Sequence, residues 1–297
     1  MTPFVIAGVQ MHLNANNNLD AMQHRLDLLM HLYPWVQMVM FSELAPYGPI
    51  THHAQTLPGP AEEAFQAMAR KHGLWLLPGS LFEKHDGLIY NTAPVINPDG
   101  EVIARYRKQF PFRPFEEGVT PGDGFVVFDV DQVGRFGVSI CYDMWFPETT
   151  RTLTAMGAEV ILHPVLTHTI DRDVDLSIAR ASAAMFQCYI FDINGLGACG
   201  SGHSAVFDPS GRTLYQADSH EQIIPIEVDL DQVRRQRQVG LRNLGQPLKS
   251  FRDSEIDFTV YDRQRRDDGY LQTLGPLVKP ERGVEVPLNP PWQPATD

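Results

Sequence analysis

Short apolar runs alternate with helix-period segments from Phe4 to Asn194, and that alternation predicts an α/β protein. A second observation suggests that the chain holds two similar halves. The turn Asn97-Pro98-Asp99-Gly100 resembles Asp208-Pro209-Ser210-Gly211, and each follows a strand–helix–strand passage. Two such halves would pack their sheets face to face with helices outside.

The elements follow in order. Phe4 to Gln10 is an apolar run, the mark of a buried strand. Leu19, Met22, Leu26, Leu29 and Met30 recur at helical spacing, so Leu19 to Leu32 is expected to be a helix, capped by Asn17 or Asn18 and ended by Pro34. Val36 to Phe41 reads as a second buried strand, with Glu43 just beyond it. Ala61 to His72 is helical, and Leu74 to Phe82 and Ile89 to Ile96 are strand-like. Val102 to Arg107 pairs across the first hairpin and leads into Lys108. Phe110 to Gly124 has Pro and Gly without a period and is expected to be a loop. Strands are expected at Phe125 to Val130, Phe136 to Cys141, Val160 to Leu166 and Cys188 to Asn194. Helices are expected from Pro147 to about Met156 and from Val174 to Gln187, and Ala205-Val206-Phe207 enters the second hairpin. Beyond Asp262 a polar stretch precedes Pro276, Pro280, Pro287, Pro290, Pro291 and Pro294. The expected division is one domain over 1–262 and a Pro-rich arm over 263–297.

Composition narrows the function. The 297 residues hold 24 Lys and Arg against 36 Asp and Glu, a net charge of −12, which argues against nucleic acid or an anionic membrane as partner. Arg234, Arg235 and Arg237 form a local basic cluster that reads as a solvated helix face. Three cysteines make a disulfide framework improbable and favour a reducing, cytoplasmic setting. No export signal stands at the start, and no apolar run reaches membrane-spanning length. Neither the cysteines nor the histidines have metal-site spacing, so no metal and no cofactor is expected. Gly195-Leu196-Gly197-Ala198-Cys199-Gly200 matches a dinucleotide fingerprint formally, but a strand follows it instead of the required helix.

Chemistry gathers at three strand ends. Cys141 closes the run Gly137-Val138-Ser139-Ile140-Cys141 and precedes a helix, a junction that presents a side chain at a cleft. Glu43 and Lys108 also lie just after strands. A thiolate is a strong nucleophile, and a nearby cation lowers a thiol's pKa. A carboxylate can take the thiol proton, pass it to a leaving amine and then activate water. The cation can hold the oxyanion of a tetrahedral intermediate. Cys188 and Cys199 lack such company and read as inert.

These blocks resemble the nitrilase superfamily of carbon–nitrogen hydrolases. The matching stretches are Phe41-Ser42-Glu43, Arg105-Tyr106-Arg107-Lys108, and Gly137 to Asp143 with Phe146-Pro147-Glu148, supported by Ala179-Arg180-Ala181, Asn194 and Gly202-His203-Ser204. The resemblance runs from about Phe4 to about Val260. It implies a four-layer α-β-β-α sandwich and places the catalytic set on Glu43, Lys108 and Cys141. It also implies a second glutamate between Lys and Cys. Glu116 and Glu117 are the candidates, with Glu117 favoured because Glu117-Gly118-Val119-Thr120-Pro121-Gly122 looks like an aliphatic-amidase loop. Glu148, in a first helical turn, is expected to be structural. Tyr142-Asp143 after the nucleophile is similar to the amidase and carbamoylase branches, so cleavage of a small amide to a carboxylic acid and ammonia or an amine, through a thioester, is the expectation. The alternatives are an N-carbamoyl amidohydrolase, a nitrilase, or a non-catalytic binding protein on the same scaffold. Tyr47, Phe112, Tyr142, Trp145 and Phe146 are candidate pocket residues, and Arg113 is a candidate for a substrate carboxylate. His163 and His168 are given no role. The family resemblance also implies a homodimer or higher homo-oligomer.

Overall fold

All seven residues of Phe4–Gln10 (β1) are buried, because this strand has neighbours along both edges and over both faces. The computed structural model describes residues 3–262, 269–279 and 281–283. The first sheet continues with Met38–Met40 (β2), Trp75–Leu77 (β3), Leu81–His85 (β4), Leu88–Ile96 (β5) and Val102–Arg107 (β6). The second holds Val126–Val130 (β7), Gly134–Val138 (β8), Val160–Val165 (β9), Tyr189–Asn194 (β10), Ala205–Phe207 (β11) and Thr213–Gln216 (β12). Gln222–Val228 (β13) then returns to the first sheet and pairs antiparallel with β1. The orders are β13-β1-β2-β3-β5-β4, with β6 on β5, and β12-β11-β10-β9-β8-β7.

Side-chain alternation along β1 shows how the layers form. Phe4 and Ile6 join Met38, Met40 and Val95 in a core shared with Phe136, Val138, Leu162 and Phe191 of the second sheet. Val5, Ala7 and Val9 point the other way, onto Leu19–Leu32 (α1) and Pro60–His72 (α2). The outer face of the second sheet is covered by Pro147–Ala155 (α3) and Arg172–Phe186 (α4), through Leu153, Leu176, Ala183 and Phe186. The result is the expected α-β-β-α sandwich. At Gly8 the sheets approach so closely that a Cβ would lie 2.2 Å from Ile193 Cδ1. Cys188 and Cys199 are free and buried, and burial pushes both thiols up to about 12.

Three expectations need correction. The run Leu74 to Phe82 is two strands, separated at Pro78-Gly79-Ser80. Gly79 has φ +81°, and its missing Cβ leaves room for the Ser42 carbonyl, which such a Cβ would meet at 1.8 Å. Strand β13 and helix Leu230–Val239 (α5) were not foreseen, since Pro225 interrupts the one and a very polar composition masks the other. Of the α5 arginines expected to form a solvated face, Arg234 and Arg235 are exposed and Arg237 is partly buried. Arg234 Nε donates to Glu159 at 2.8 Å and Arg237 donates to the Gln187 and Ala158 carbonyls, tying α5 to loops of the second sheet, while Arg235 binds Asp229 at the start of α5 itself at 3.0 Å. Most of the arm expected over 263–297 lies outside the described residues. Among the described residues no helix is long and apolar enough to cross a membrane.

The contact at Gly79 supports the segment that carries Glu43, so it tests the link between fold and site. Gly79→Ala is expected to destabilise the chain by about 3 kcal/mol, from a left-handed backbone and a backbone clash together. Thermal unfolding would show this as a melting point several degrees lower.

Candidate active site

Cys141 follows β8 and opens a tight turn of helix, Cys141–Trp145, with φ +45°. A non-glycine residue with positive φ is strained, and strain of this kind persists only where neighbours impose it. Asp143 is one such neighbour. Its carboxylate accepts from the Ile140 N–H at 2.9 Å, the Tyr106 hydroxyl at 2.7 Å and the Phe110 N–H at 2.8 Å. Tyr106 and Phe110 flank Lys108 in the chain, so one buried carboxylate joins the cysteine turn to the lysine strand. Burial raises the Asp143 pKa to about 6 against these three donors.

Lys108 leaves the end of β6 and is 1 % exposed. Its Nζ lies 2.8 Å from Glu43 Oε1 and 2.8 Å from Glu116 Oε2. Glu43 is held by its own N–H, which donates to the Val165 carbonyl at the end of β9, so the first sheet's acid is bonded to the second sheet. Asn91 Nδ2 donates to Glu43 at 2.8 Å and to Glu116 at 3.3 Å. The Cys141 thiol donates to the Leu166 carbonyl at 3.8 Å and interacts with the Glu43 carboxylate. The structure therefore brings together Glu43, Lys108 and Cys141.

It also separates the two glutamate candidates. Glu116 meets Lys108 and accepts from the Phe112 N–H at 2.5 Å, whereas the side chain of Glu117 is exposed. The preference for Glu117 is thus overturned in placement. A turn in which the Glu116 N–H binds the Phe112 carbonyl directs Glu116 inward, and local sequence carries no mark of it.

Burial disfavours the charge on Lys108, but Glu43 and Glu116 outweigh it and hold the ammonium pKa well above its ordinary value. Burial raises the Glu43 pKa, opposed by Lys108 and reinforced by Glu116. Burial and the Glu43 charge raise the Cys141 pKa well above its ordinary value despite Lys108. The expected lowering by the cation is present and is overruled, so the resting group is a thiol with a carboxylate beside it.

Trp145 lines a narrow pocket at Cys141 with Met144, His163, Val165, Asp175 and Ile178. Tyr142 contacts Phe112 and Phe146 with ring centroids 5.0 and 5.2 Å apart, and Phe110, which sequence reasoning missed, stacks on Phe146 at 3.6 Å. Tyr47 stacks on His53 and packs against the layer between the first sheet and its helices. Arg113 is exposed and donates to the Val119 carbonyl at 2.9 Å. Glu148 occupies the first turn of α3, as expected. His163 is buried against Ser139 Oγ at 2.8 Å, and burial lowers its pKa to about 4.

Comparison with known proteins agrees with this architecture. Human omega-amidase NIT2 is 29% identical over 211 residues, which cover 65% of this chain and 76% of the relative. Hydrolase C26A3.11 of Schizosaccharomyces pombe is 29% identical over 256 residues, covering 80% and 73%. Among solved structures, a carbon-nitrogen hydrolase from Helicobacter pylori superposes with TM-score 0.75 at 25% identity, covering 88% of this chain and 98% of that one. Saccharomyces cerevisiae Nit3, a member of branch 10 of the nitrilase superfamily, gives TM-score 0.73 at 26% identity, covering 80% and 93%. The family model for carbon-nitrogen hydrolases matches residues 6–238, which is most of the two-sheet body, and the chain belongs to that family, within the nitrilase superfamily.

Proposed function

We propose that this carbon–nitrogen hydrolase cleaves a small amide to a carboxylic acid and ammonia or an amine, with Cys141 as nucleophile. The observation that carries the reading is the Lys108 ammonium fixed 2.8 Å from each of two carboxylates beside Cys141. Relatives named as omega-amidases support the choice of an amide. Arg113 faces the Val119 carbonyl, which removes the feature that favoured a carbamoyl amino acid.

Glu43 takes the Cys141 proton as sulfur attacks the carbonyl carbon, so no free thiolate need accumulate. The carbonyl oxygen gains the negative charge. Lys108 has three N–H groups, of which Glu43 and Glu116 engage two, and the third is available to that oxygen. Protonated Glu43 then gives its proton to the leaving nitrogen, the C–N bond breaks and a thioester remains. A water loses a proton to Glu43 and attacks the thioester, and collapse of the second tetrahedral intermediate releases the acid and returns the proton to sulfur. Glu116 and Asn91 act by positioning Lys108 and Glu43.

Cys141→Ala is expected to abolish ammonia release across a panel of short aliphatic and aryl amides, nitriles and carbamoyl compounds. Turnover of nitriles without the matching amides would overturn the amide reading. Glu116→Gln should lower kcat/KM by roughly 100-fold through misplacement of Lys108, whereas Glu117→Gln should leave it within about twofold. Equal losses in both would reject the positioning role of Glu116.

The pH dependence has a definite sign. Glu43 must be ionised to accept the thiol proton, so activity falls as pH falls through its pKa, which burial places above the ordinary carboxylate value of 4.5. Because Glu116 contributes to that rise, the acid limb should shift to lower pH in Glu116→Gln. The residual kcat/KM of that variant, measured against pH, reads this shift.

A further inference from the structure

Three successive residues, Val165, Leu166 and Thr167, seat different parts of the site. The Val165 carbonyl accepts from the Glu43 N–H at 3.2 Å. The Leu166 carbonyl accepts from the Cys141 thiol at 3.8 Å. The Thr167 side chain hydrogen-bonds the Asp175 carboxylate. The segment is itself fixed, since the Thr167 N–H donates to Asn194 Oδ1 at 3.1 Å and Asn194 Nδ2 donates to the Thr167 carbonyl at 2.8 Å.

Asp175 also reaches the nucleophile turn. Trp145, the last residue of the turn Cys141–Trp145, donates its indole N–H to Asp175 Oδ1 at 2.7 Å. An aspartate therefore holds each end of that turn: Asp143 takes the Ile140 N–H before it, and Asp175 takes Trp145 at its finish. An acid near the start of α4 would serve the helix dipole equally well in solvent, as exposed Asp173 does. Asp175 instead turns inward, with its side chain 13% exposed. Behind it the buried Arg172 guanidinium stands 3.9 Å from Asp175 Oδ2 and is anchored on Asp192 and on the His203 carbonyl. The carboxylate is thus surrounded by partners from its own chain.

We propose that Asp175 is a positioning residue that clamps the nucleophile turn, through Trp145, to the segment that seats Glu43, and so holds the Cys141 thiol at the carboxylate that takes its proton. The inference rests on the amide-hydrolase reading above for the step it serves. Cys141 has φ +45°, a backbone shape that persists only under restraint, so the turn relaxes when a restraint is removed. Proton transfer to Glu43 and attack by sulfur both depend on where the thiol sits, and a displacement of about 1 Å costs about 100-fold in rate.

The test compares Asp175→Ala with Asp175→Asn on an amide that the protein turns over. Both variants lose the charge, but asparagine keeps an acceptor for Trp145 and a partner for Thr167, so the difference between them reads the bonds. Asp175→Ala is expected to lower kcat by about 10- to 100-fold with KM within about threefold, and Asp175→Asn to restore kcat to within about fivefold of the unaltered protein. Equal kcat in the two variants, undiminished kcat in Asp175→Ala, or a loss confined to KM overturns the inference. Should Asp175→Ala show no cooperative melting, Trp145→Phe and Thr167→Val remove the same bonds singly. Each is then expected to lower kcat by about threefold or more, and full activity in either overturns the inference. Alkylation of Cys141 by iodoacetamide needs no substrate, and Cys188 and Cys199 are buried. Silence of the unaltered protein on every amide overturns the amide-hydrolase reading alone, and alkylation then decides the inference. It is expected to be about fivefold slower or more in Asp175→Ala than in Asp175→Asn, and equal rates overturn the clamp.

Discussion

A lysine ammonium buried between two carboxylates is the interaction on which the rest of the site depends. Removing an ion from water costs several kcal/mol even after relaxation, and only close opposite charge with good hydrogen bonds offsets that cost. Lys108 has both, from Glu43 and Glu116, and Asn91 satisfies the carboxylates in turn. Three formal charges therefore sit in the interior without balancing, one positive and two negative. Burial is the main cause of the raised Glu43 and Cys141 pKa values, with Glu116 adding to the first and Glu43 to the second against Lys108. In the proposed reaction this setting is useful. It keeps the proton on sulfur until an electrophilic carbon arrives, and it keeps Glu43 basic enough to take that proton.

The sandwich delivers these groups because each follows the end of a strand. Glu43 comes after β2, Lys108 after β6 and Cys141 after β8, on two different sheets. Sheets packed through apolar side chains are not in themselves held in register. Polar bonds across the seam fix it: the Glu43 N–H on the Val165 carbonyl, and Asp143 on Tyr106 and Phe110. Gln10 contributes a third link, since it accepts from the Ser204 hydroxyl and donates to the Asp218 and His220 carbonyls. The strained backbone at Cys141 sits between two of these links. Its left-handed φ is tolerable because Asp143 holds the preceding N–H and the two sheets hold Asp143.

Much of this was readable from the amino acids, and the failures have physical causes. The buried strands and the helices α1 to α4 announced themselves through apolar period, and the three strand-end residues through their place after those runs. Strand β13 was hidden because Pro225 and Glu227 break its apolar pattern, though β1 on one side supplies a full antiparallel partner. Helix α5 is polar on most positions and depends on arginine contacts to distant loops, which periodicity does not reveal. Glu116 and Glu117 are chemically identical neighbours, so only the turn from Phe112 decides which one enters the site. Asn91 lies in a strand that reads as core, and its signal, an amide among apolar residues, was there to be weighed.

The polar set around Arg172 raises a different question, that of cost. Replacing Asp192, Arg172 and His163 by apolar residues of similar volume would remove several unpaired atoms from the interior, and buried ion pairs replaced in this way are often neutral or even stabilising. Their presence is therefore not explained by stability of the folded chain alone. Their position explains them better. Ser139 precedes the nucleophile by two residues and bonds His163, His163 faces Asp192, Asp192 holds Arg172, and Arg172 stands beside Asp175 at the pocket. This chain of contacts runs from beneath Cys141 to a carboxylate that lines its pocket. A nucleophile turn held at a positive φ needs rigid support beneath it, and these bonded side chains supply it from the strand that leads into Cys141.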